Sequence, residues 1–230
     1  LVDLPAVETV LFAVGFDRSS GNTIHQVYTD GMKNVRAALP ASVQRVLYIS
    51  TTGVYGDARG DWVDENTDPH PQRDGGKASH AAEQLLGSRD VILRLGGIYG
   101  PGRIPYLSKL QAGEPIAAPS DGWLNLIHVD DGAAIVLAAE ATAGTTAVGP
   151  EVLNVSDGHP VVRGDYYREV ARRIGAAPPQ FVAPDANSPA AARATANKRI
   201  SNAKLRTVLH YKFLYPSYRE GLAAILSDGA

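Results

Sequence analysis

The segment from Arg45 to Asp57 reads RVLYISTTGVYGD and joins two different patterns. A short apolar run, Val46 to Ile49, changes abruptly into hydroxyl residues and glycines from Ser50 onward. Continuous apolar runs of this length are typical of strands buried in a parallel sheet. Ligands of open α/β sheets bind where such strands end. The segment therefore predicts a site at Ser50 to Tyr55, although a plain polar turn after a strand favours the same residue types.

The composition is that of an ordinary globular protein. The chain has 230 residues, 44% of them hydrophobic and 20% charged, which suits one large α/β domain or two small ones. A net charge of −2 provides no basic surface for nucleic acid or an anionic membrane. The absence of cysteine excludes disulfides, thiolate catalysis and cysteine-based metal sites, and it fits a cytoplasmic location. No apolar run approaches the roughly 20 residues that cross a bilayer.

Strands and helices alternate along the first half of the chain. Glu8 to Gly15 predicts a strand, and Asn22 or Thr23 can cap a helix that runs to about Leu39. With the strand at Arg45 to Ile49 this makes a βαβ unit with a parallel pair. The same reasoning predicts later strands at Val91–Leu95, Asn125–Val129 and Val152–Val155, and helices at Gly75–Leu86, Tyr106–Gln111, Gly132–Ala141, Asp165–Ile174, Asn202–Leu209 and Ser217–Leu226.

Three predicted strands end in glycine and polar residues, at Gly15 to Arg18, Ser50 to Tyr55 and Gly96 to Tyr99. In one parallel sheet these ends would form a single crevice. Glycine lets a flat ligand lie close to the backbone, which suits a dinucleotide. The GxGxxG spacing that binds the pyrophosphate of a dinucleotide does not occur in the sequence, however.

Several motifs together resemble one protein family. STTGVYGD, from Ser50, looks like the active-site strand end of the extended and atypical short-chain dehydrogenases/reductases, the NAD-dependent epimerase/dehydratase group. VILRLGGIYGPGR, from Val91, is similar to a later strand and loop of that family, and LIHVDDGAAIVLAA, from Leu126, resembles a helix start in its substrate part. The tail segments KRISNAKL and YPSYREGL point to the atypical branch. These motifs follow the family's order along nearly the whole chain.

The resemblance implies an α/β fold: a partial Rossmann-type, doubly wound parallel sheet with a small mixed α/β substrate part at the carboxyl end. Residues 1–102 would be the second half of the dinucleotide-binding domain, and residues 103–230 the substrate part, interleaved with the last Rossmann elements. The first strand of this chain would be the family's fourth. We therefore expect Glu8–Val14 to form an exposed apolar edge, and the functional protein to carry the missing half from its own chain or a partner's.

The resemblance also implies a cofactor, NAD or NADP, and a set of site residues. Thr51 would orient a substrate oxygen, and Thr51 and Tyr55 are the catalytic candidates. No metal is expected, because the acidic residues match no EF-hand loop. The candidate cofactor-binding residues are Gly15, Phe16, Arg18, Ser50, Gly96, Gly97 and Ile98, and the candidate substrate-binding residues are Thr52, Tyr99 and Arg103.

The chain departs from the family pattern at three positions. The catalytic tyrosine and lysine positions are occupied by Gly75 and Ser79, and Leu124 replaces the arginine that holds a nucleotide-sugar phosphate. Two functions stay open at this point. One is NAD(P)-dependent oxidoreduction, epimerisation or dehydration of a small sugar- or polyol-like substrate. The other is a non-catalytic dinucleotide sensor or partner-binding protein. A homodimer is expected from the family's usual helix pairing.

Overall fold

The computed structural model describes residues 5–142, 149–185, 188, 191 and 196–226. Its central feature is a sheet of four parallel strands in the order β1-β2-β4-β9. The apolar runs of the sequence form these strands, as predicted. They are β1 (Thr9–Phe12), β2 (Arg45–Thr51), β4 (Val91–Leu95) and β9 (Glu151–Val155).

Helices cover both faces of this sheet, because alternate side chains of each strand point to opposite sides. Val46 and Tyr48 pack with Met32 and Ala82 from the helices α1 (Gly31–Ala38) and α2 (Asp74–Glu83). On the other face, Leu47 packs with residues of α4 (Val129–Thr142) and α6 (Ala203–Leu209). The doubly wound α/β architecture predicted from the sequence is therefore confirmed.

Strand β1 lies at the edge of the sheet. Within the described ranges it pairs only with β2, and its side chain Leu11 is 49% exposed. Val14, just beyond the strand, is 50% exposed. The expected apolar edge is present, although the regular strand is shorter than the run from Glu8 to Gly15.

The helix expected from Asn22 or Thr23 to Leu39 is divided. A π-helical segment, Gln26–Asp30, precedes α1, and the change falls at Gly31. A β-carbon at Gly31 would lie 3.5 Å from Cζ of Phe12, which is ordinary van der Waals contact, so this end of the helix packs against β1. In the ranges that the structure describes, no helix is long and apolar enough to cross a membrane.

A smaller part, built mostly from the second half of the chain, contains pairs of short strands. This part has its own core, in which Tyr99, Ile116, Tyr166, Val170 and Leu222 are buried. The strand pairs are β5 (Gly97–Tyr99) with β8 (Leu126–His128), β6 (Ile116–Ala117) with β11 (Phe181–Val182), β7 (Trp123–Leu124) with β10 (Val161–Val162), and β12 (Arg199–Ile200) with β3 (Trp62–Val63). The helices are α3 (Leu107–Ala112), α5 (Arg163–Arg173) and α7 (Tyr218–Ile225).

The pairing of β12 with β3 carries the tail back to the central sheet. Arg199 pairs with Trp62 and Ile200 with Val63, in parallel register. Strand β3 belongs to the long loop that follows β2. Residues 196–198, which precede β12, are thereby held close to the carboxyl end of β2.

Candidate active site

A cleft of about 570 Å³ opens at the carboxyl ends of β2 and β4. Thr51 of β2 pairs in register with Leu95 of β4, so the segments that leave the two strands are neighbours. Thr51, Thr52 and Gly53 line the cleft after β2, and the run from Leu95 to Tyr99 lines it after β4. Two of the three strand ends predicted to meet are thus brought together. Thr51, Thr52, Gly96, Gly97, Ile98 and Tyr99 are the predicted site residues that line the cleft.

Thr51 has a hydroxyl group that can donate to a ligand. Its Oγ1 accepts a hydrogen bond of 3.0 Å from the backbone N–H of Gly53 and makes no other hydrogen bond among the described residues. Arg73 lies beside it, since a β-carbon built on Gly53 would be 3.2 Å from Thr51 Oγ1 and 3.6 Å from Arg73 Nη2. A ligand oxygen at Thr51 would therefore lie near a guanidinium group.

Ser50 and Tyr55 form part of a buried polar network in the floor beneath the cleft. The hydroxyl of Tyr55 donates to Asn154 Oδ1 at 2.8 Å and accepts from Arg94 Nη1 at 2.9 Å. Ser50 Oγ donates to Glu83 Oε1 at 2.6 Å, and Glu83 receives two further bonds from Arg94, at 2.7 and 3.0 Å. Burial raises the pKa of Tyr55. Neither Ser50 nor Tyr55 is among the residues that line the cleft.

Four other predicted site residues lie away from the cleft lining. Gly15 and Arg18 are exposed and Phe16 is half-buried in the loop after β1. Arg103 is exposed and donates from Nε to the carbonyl oxygen of Ile98 at 3.2 Å. Their assignments to cofactor and substrate stay predictions.

Gly96 is required by strand packing. A β-carbon at this position would lie 2.6 Å from the carbonyl oxygen of Asn125, the residue before β8. The backbone N–H of Gly97 donates to that same oxygen at 2.7 Å. The glycine pair after β4 therefore lets the chain around β8 approach the cleft, whatever ligand the cleft holds.

The opposite wall of the cleft is aromatic and comes from the second half of the chain. Trp123 and Leu124 of β7 contribute to it, as do Tyr166 and Tyr167 of α5. The buried hydroxyl of Tyr166 has no hydrogen-bond partner among the residues that the structure describes, and burial raises its pKa. Sequence reasoning missed this wall, because the apolar stripe of α5 predicts only that the helix packs against a core.

Sequence reasoning also missed Lys198, which reaches the cleft from the tail. It is 5% exposed, and its Nζ donates to the carbonyl oxygen of Gly56 at 2.8 Å. Burial lowers its pKa to about 8; nearby Arg73 acts in the same direction, and Asp57 opposes it. KRISNAKL was noted only as a family-like tail motif, so only the fold identifies this buried amine.

The positions of the family's tyrosine and lysine hold no proton-transfer group. A β-carbon at Gly75 would lie 3.4 Å from Cδ1 of Ile24. Ser79 is 3% exposed, and its hydroxyl is hydrogen-bonded to Tyr48. Any acid or base that acts in this cleft must come from other residues.

Comparison with known proteins gives consistent relatives. The model of the NAD dependent epimerase/dehydratase family matches residues 10–156. Protein YeeZ of Escherichia coli (strain K12) is 34% identical over 152 residues, which are 64% of this chain and 52% of YeeZ. A 3-diazoavenalumate denitrifying reductase from Streptomyces sp is 30% identical over 155 residues, 61% of this chain and 49% of the reductase. The chain thus spans about half the length of the curated relatives it matches.

A solved structure matches over nearly the whole chain. It is that of a functionally unknown conserved protein from Silicibacter pomeroyi DSS, with a TM-score of 0.76 and 32% sequence identity. The match covers 97% of this chain and 78% of that protein. It therefore includes the central sheet and the aromatic wall of the cleft.

Proposed function

Because this chain belongs to the NAD dependent epimerase/dehydratase family, as its motifs predicted, we propose that its cleft is the substrate site of an NAD(P)-dependent oxidoreductase, epimerase or dehydratase. The substrate would be a small organic molecule. The observation that carries this proposal is the opening of Thr51 and the β4 strand end into one cleft at the carboxyl edge of a parallel sheet.

The residues at this edge fit the nicotinamide end of a dinucleotide. Thr51 offers a hydroxyl, Gly97 is exposed, and the space beside Gly15 is open, with no atom within 4 Å of a built β-carbon. A bound nicotinamide supplies or accepts a hydride. The fit concerns this end alone, because the glycine spacing that binds a pyrophosphate does not occur in the sequence. Titration with NADH and NADPH distinguishes NAD from NADP.

In the proposed reaction Thr51 orients the substrate. Its Oγ1 accepts from Gly53, so its proton points elsewhere and can be donated to a carbonyl or hydroxyl oxygen of the substrate. The aromatic side chains of the lining limit the space that a substrate can occupy. Together these contacts position a substrate against the carboxyl edge of the sheet.

A second function is favoured by a specific observation. Gly75 and Ser79 provide neither the phenol nor the ammonium with which the family transfers protons, and Ser79 is buried against Tyr48. A protein that binds the dinucleotide without turnover, as a sensor or a partner-binding module, would keep the cleft and need no such pair.

Fluorescence titration of the protein with NADH and NADPH, followed by a turnover screen, tests both functions. We expect one dinucleotide to bind, and Thr51→Ala to lower turnover at least about tenfold, as for loss of one positioned hydrogen bond. Thr207→Ala, an exposed threonine on α6, is the matched control and should leave turnover unchanged. If a dinucleotide binds, no substrate is turned over, and Thr51→Ala leaves the binding unchanged, the protein is the sensor. Failure of both dinucleotides to bind would reject both functions.

We also propose that the protein works in the cytoplasm as a homodimer. The lack of cysteine and the family's usual helix pairing support these two properties. Cell fractionation tests the location, and light scattering of the eluted protein tests the oligomeric state.

A further inference from the structure

We propose that the cleft selects an organic anion with a flat apolar body, and that the substrate is an aryl carboxylate. This inference rests on the proposed function, because it names the substrate class of the same cleft. It is carried by the charges and the aromatic side chains that line the cleft.

The charged groups of the cleft are all cationic. Arg73, Arg163 and Lys198 line it, and no described lining residue carries a carboxylate. The chain as a whole has a net charge of −2, so this is a local excess of positive charge. Low-dielectric walls strengthen the attraction of such groups for an anion. The cleft therefore favours a negatively charged ligand.

Two of these cations are buried and fixed around Trp123. Arg163 is 9% exposed, and its Nη1 donates to the carbonyl oxygen of Pro119 at 2.7 Å. The backbone N–H of Arg163 donates to the carbonyl oxygen of Gly122, the residue before Trp123. The backbone N–H of Trp123 donates to Oδ1 of Asn197, the residue before Lys198. Lys198 is also buried, at 5% exposed, and burial of a charged amine is costly. Asp57, whose charge acts on Lys198, is exposed at the surface. A carboxylate bound beside Lys198 would offset part of this cost.

The remaining lining favours a flat apolar body. Tyr106 and Trp123 are half-buried in the lining, and the buried rings of Tyr166 and Tyr167 stand beside them. Aromatic side chains favour the flat face of another ring. A volume of about 570 Å³ suits a small molecule. Leu124 lies where a sugar-nucleotide phosphate would need an arginine, which disfavours that class of substrate.

Calorimetric titration with trans-cinnamate and its neutral isostere trans-cinnamamide tests the inference on the unaltered protein. The two probes have nearly the same size and differ in charge, −1 against zero, so the comparison isolates the anionic group. Hydrogen bonds to charged groups contribute about 1.5–3 kcal/mol, so cinnamate should bind at least about tenfold more tightly than the amide. Equal affinities would overturn the proposal. Phenyl phosphate and UDP-glucose serve as further probes, and tighter binding of either than of cinnamate would replace the carboxylate with a phosphate-bearing ligand.

Substitutions locate the site of binding. Arg163→Gln and Lys198→Gln should each weaken cinnamate binding about tenfold or more and change cinnamamide binding by less than about threefold. Lys33→Gln removes the same charge from an exposed position on α1 and should leave both affinities unchanged. Thermal unfolding of each variant identifies any that do not fold, and the comparison of acid with amide stands without them. If Lys33→Gln weakened cinnamate binding as much as Arg163→Gln and Lys198→Gln do, the net charge of the protein would explain the binding, and the proposed site would be refuted.

The failure of the two proposals can be distinguished. Discrimination of cinnamate from cinnamamide without binding of NADH or NADPH would retain the anion site and reject the dinucleotide function. Dinucleotide binding with no such discrimination would retain the function and reject the anion site.

Discussion

Replacing Arg94 with methionine should remove much of the stability of the protein, because Arg94 is the centre of the network beneath the cleft. It is 5% exposed and makes two bonds to Glu83 and one to Tyr55. The network joins α2 to the strands β2, β4 and β9 through Ser50 and Asn154. Methionine is apolar and adapts to irregular spaces, so the main loss is that of charge and hydrogen bonds.

The expected loss of unfolding free energy depends on which partners Glu83 would keep. The carboxylate is 3% exposed, and it would retain Ser50 and a 3.4 Å contact with the half-exposed His80. Removal of one partner of a buried ion pair costs about 3–5 kcal/mol. Typical domains unfold with about 5–15 kcal/mol, so Arg94→Met should lower the urea midpoint by about 1–2 M at an ordinary m-value.

Urea unfolding of single and double variants tests this reasoning. Glu83→Met alone should also be destabilising, whereas Glu83→Met/Arg94→Met leaves no uncompensated charge and should cost less than the two single changes combined. Lys33→Met breaks a pair whose side chains are 57% and 53% exposed, and should cost at most about 1 kcal/mol. Additive costs in the double variant would refute the assignment of the loss to an unpaired buried charge.

Three further outcomes are expected. Burial raises the pKa of Asp157 to about 7, so the folded state holds a proton that the unfolded state releases, and the free energy of unfolding falls as pH rises from about 4 to 7. The side chain of Asp157→Asn can still accept a hydrogen bond from the backbone N–H of His159. In urea unfolding this variant should be more stable than the natural protein by up to about 4 kcal/mol at pH 8, and equally stable near pH 4. Gly96→Ala should cost about 1–3 kcal/mol, because its β-carbon would lie 2.6 Å from a backbone oxygen, whereas Gly15→Ala, with open space around it, should be neutral or slightly stabilising. Cinnamate affinity, measured by calorimetry, should fall between pH 7 and 9.5 as Lys198 loses its proton near pH 8, and Lys198→Arg should abolish that fall.

The central sheet could be predicted because its strands are continuous apolar runs. Val91–Leu95 was predicted with the bounds it has in the structure, and Arg45–Ile49 differs only by two residues at its end. The two-residue strands β7 and β10 could not be predicted, since two residues carry no periodicity. The wall that contains Trp123 depends on that pairing, so its place in the cleft was not visible in the sequence.

The cleft also shows why motif spacing alone is an incomplete guide to its chemistry. On α2, where the family's proton-transfer pair would lie, the chain has Gly75 and Ser79. The structure supplies an ammonium group to the cleft from the tail instead, through a bond between Lys198 and Gly56, 142 positions apart. That placement depends on the pairing of β12 with β3, which no local pattern encodes. The loss of a motif on one element therefore does not exclude cationic or acid–base chemistry in the cleft, and Lys198 is the residue whose substitution decides whether the cleft uses it.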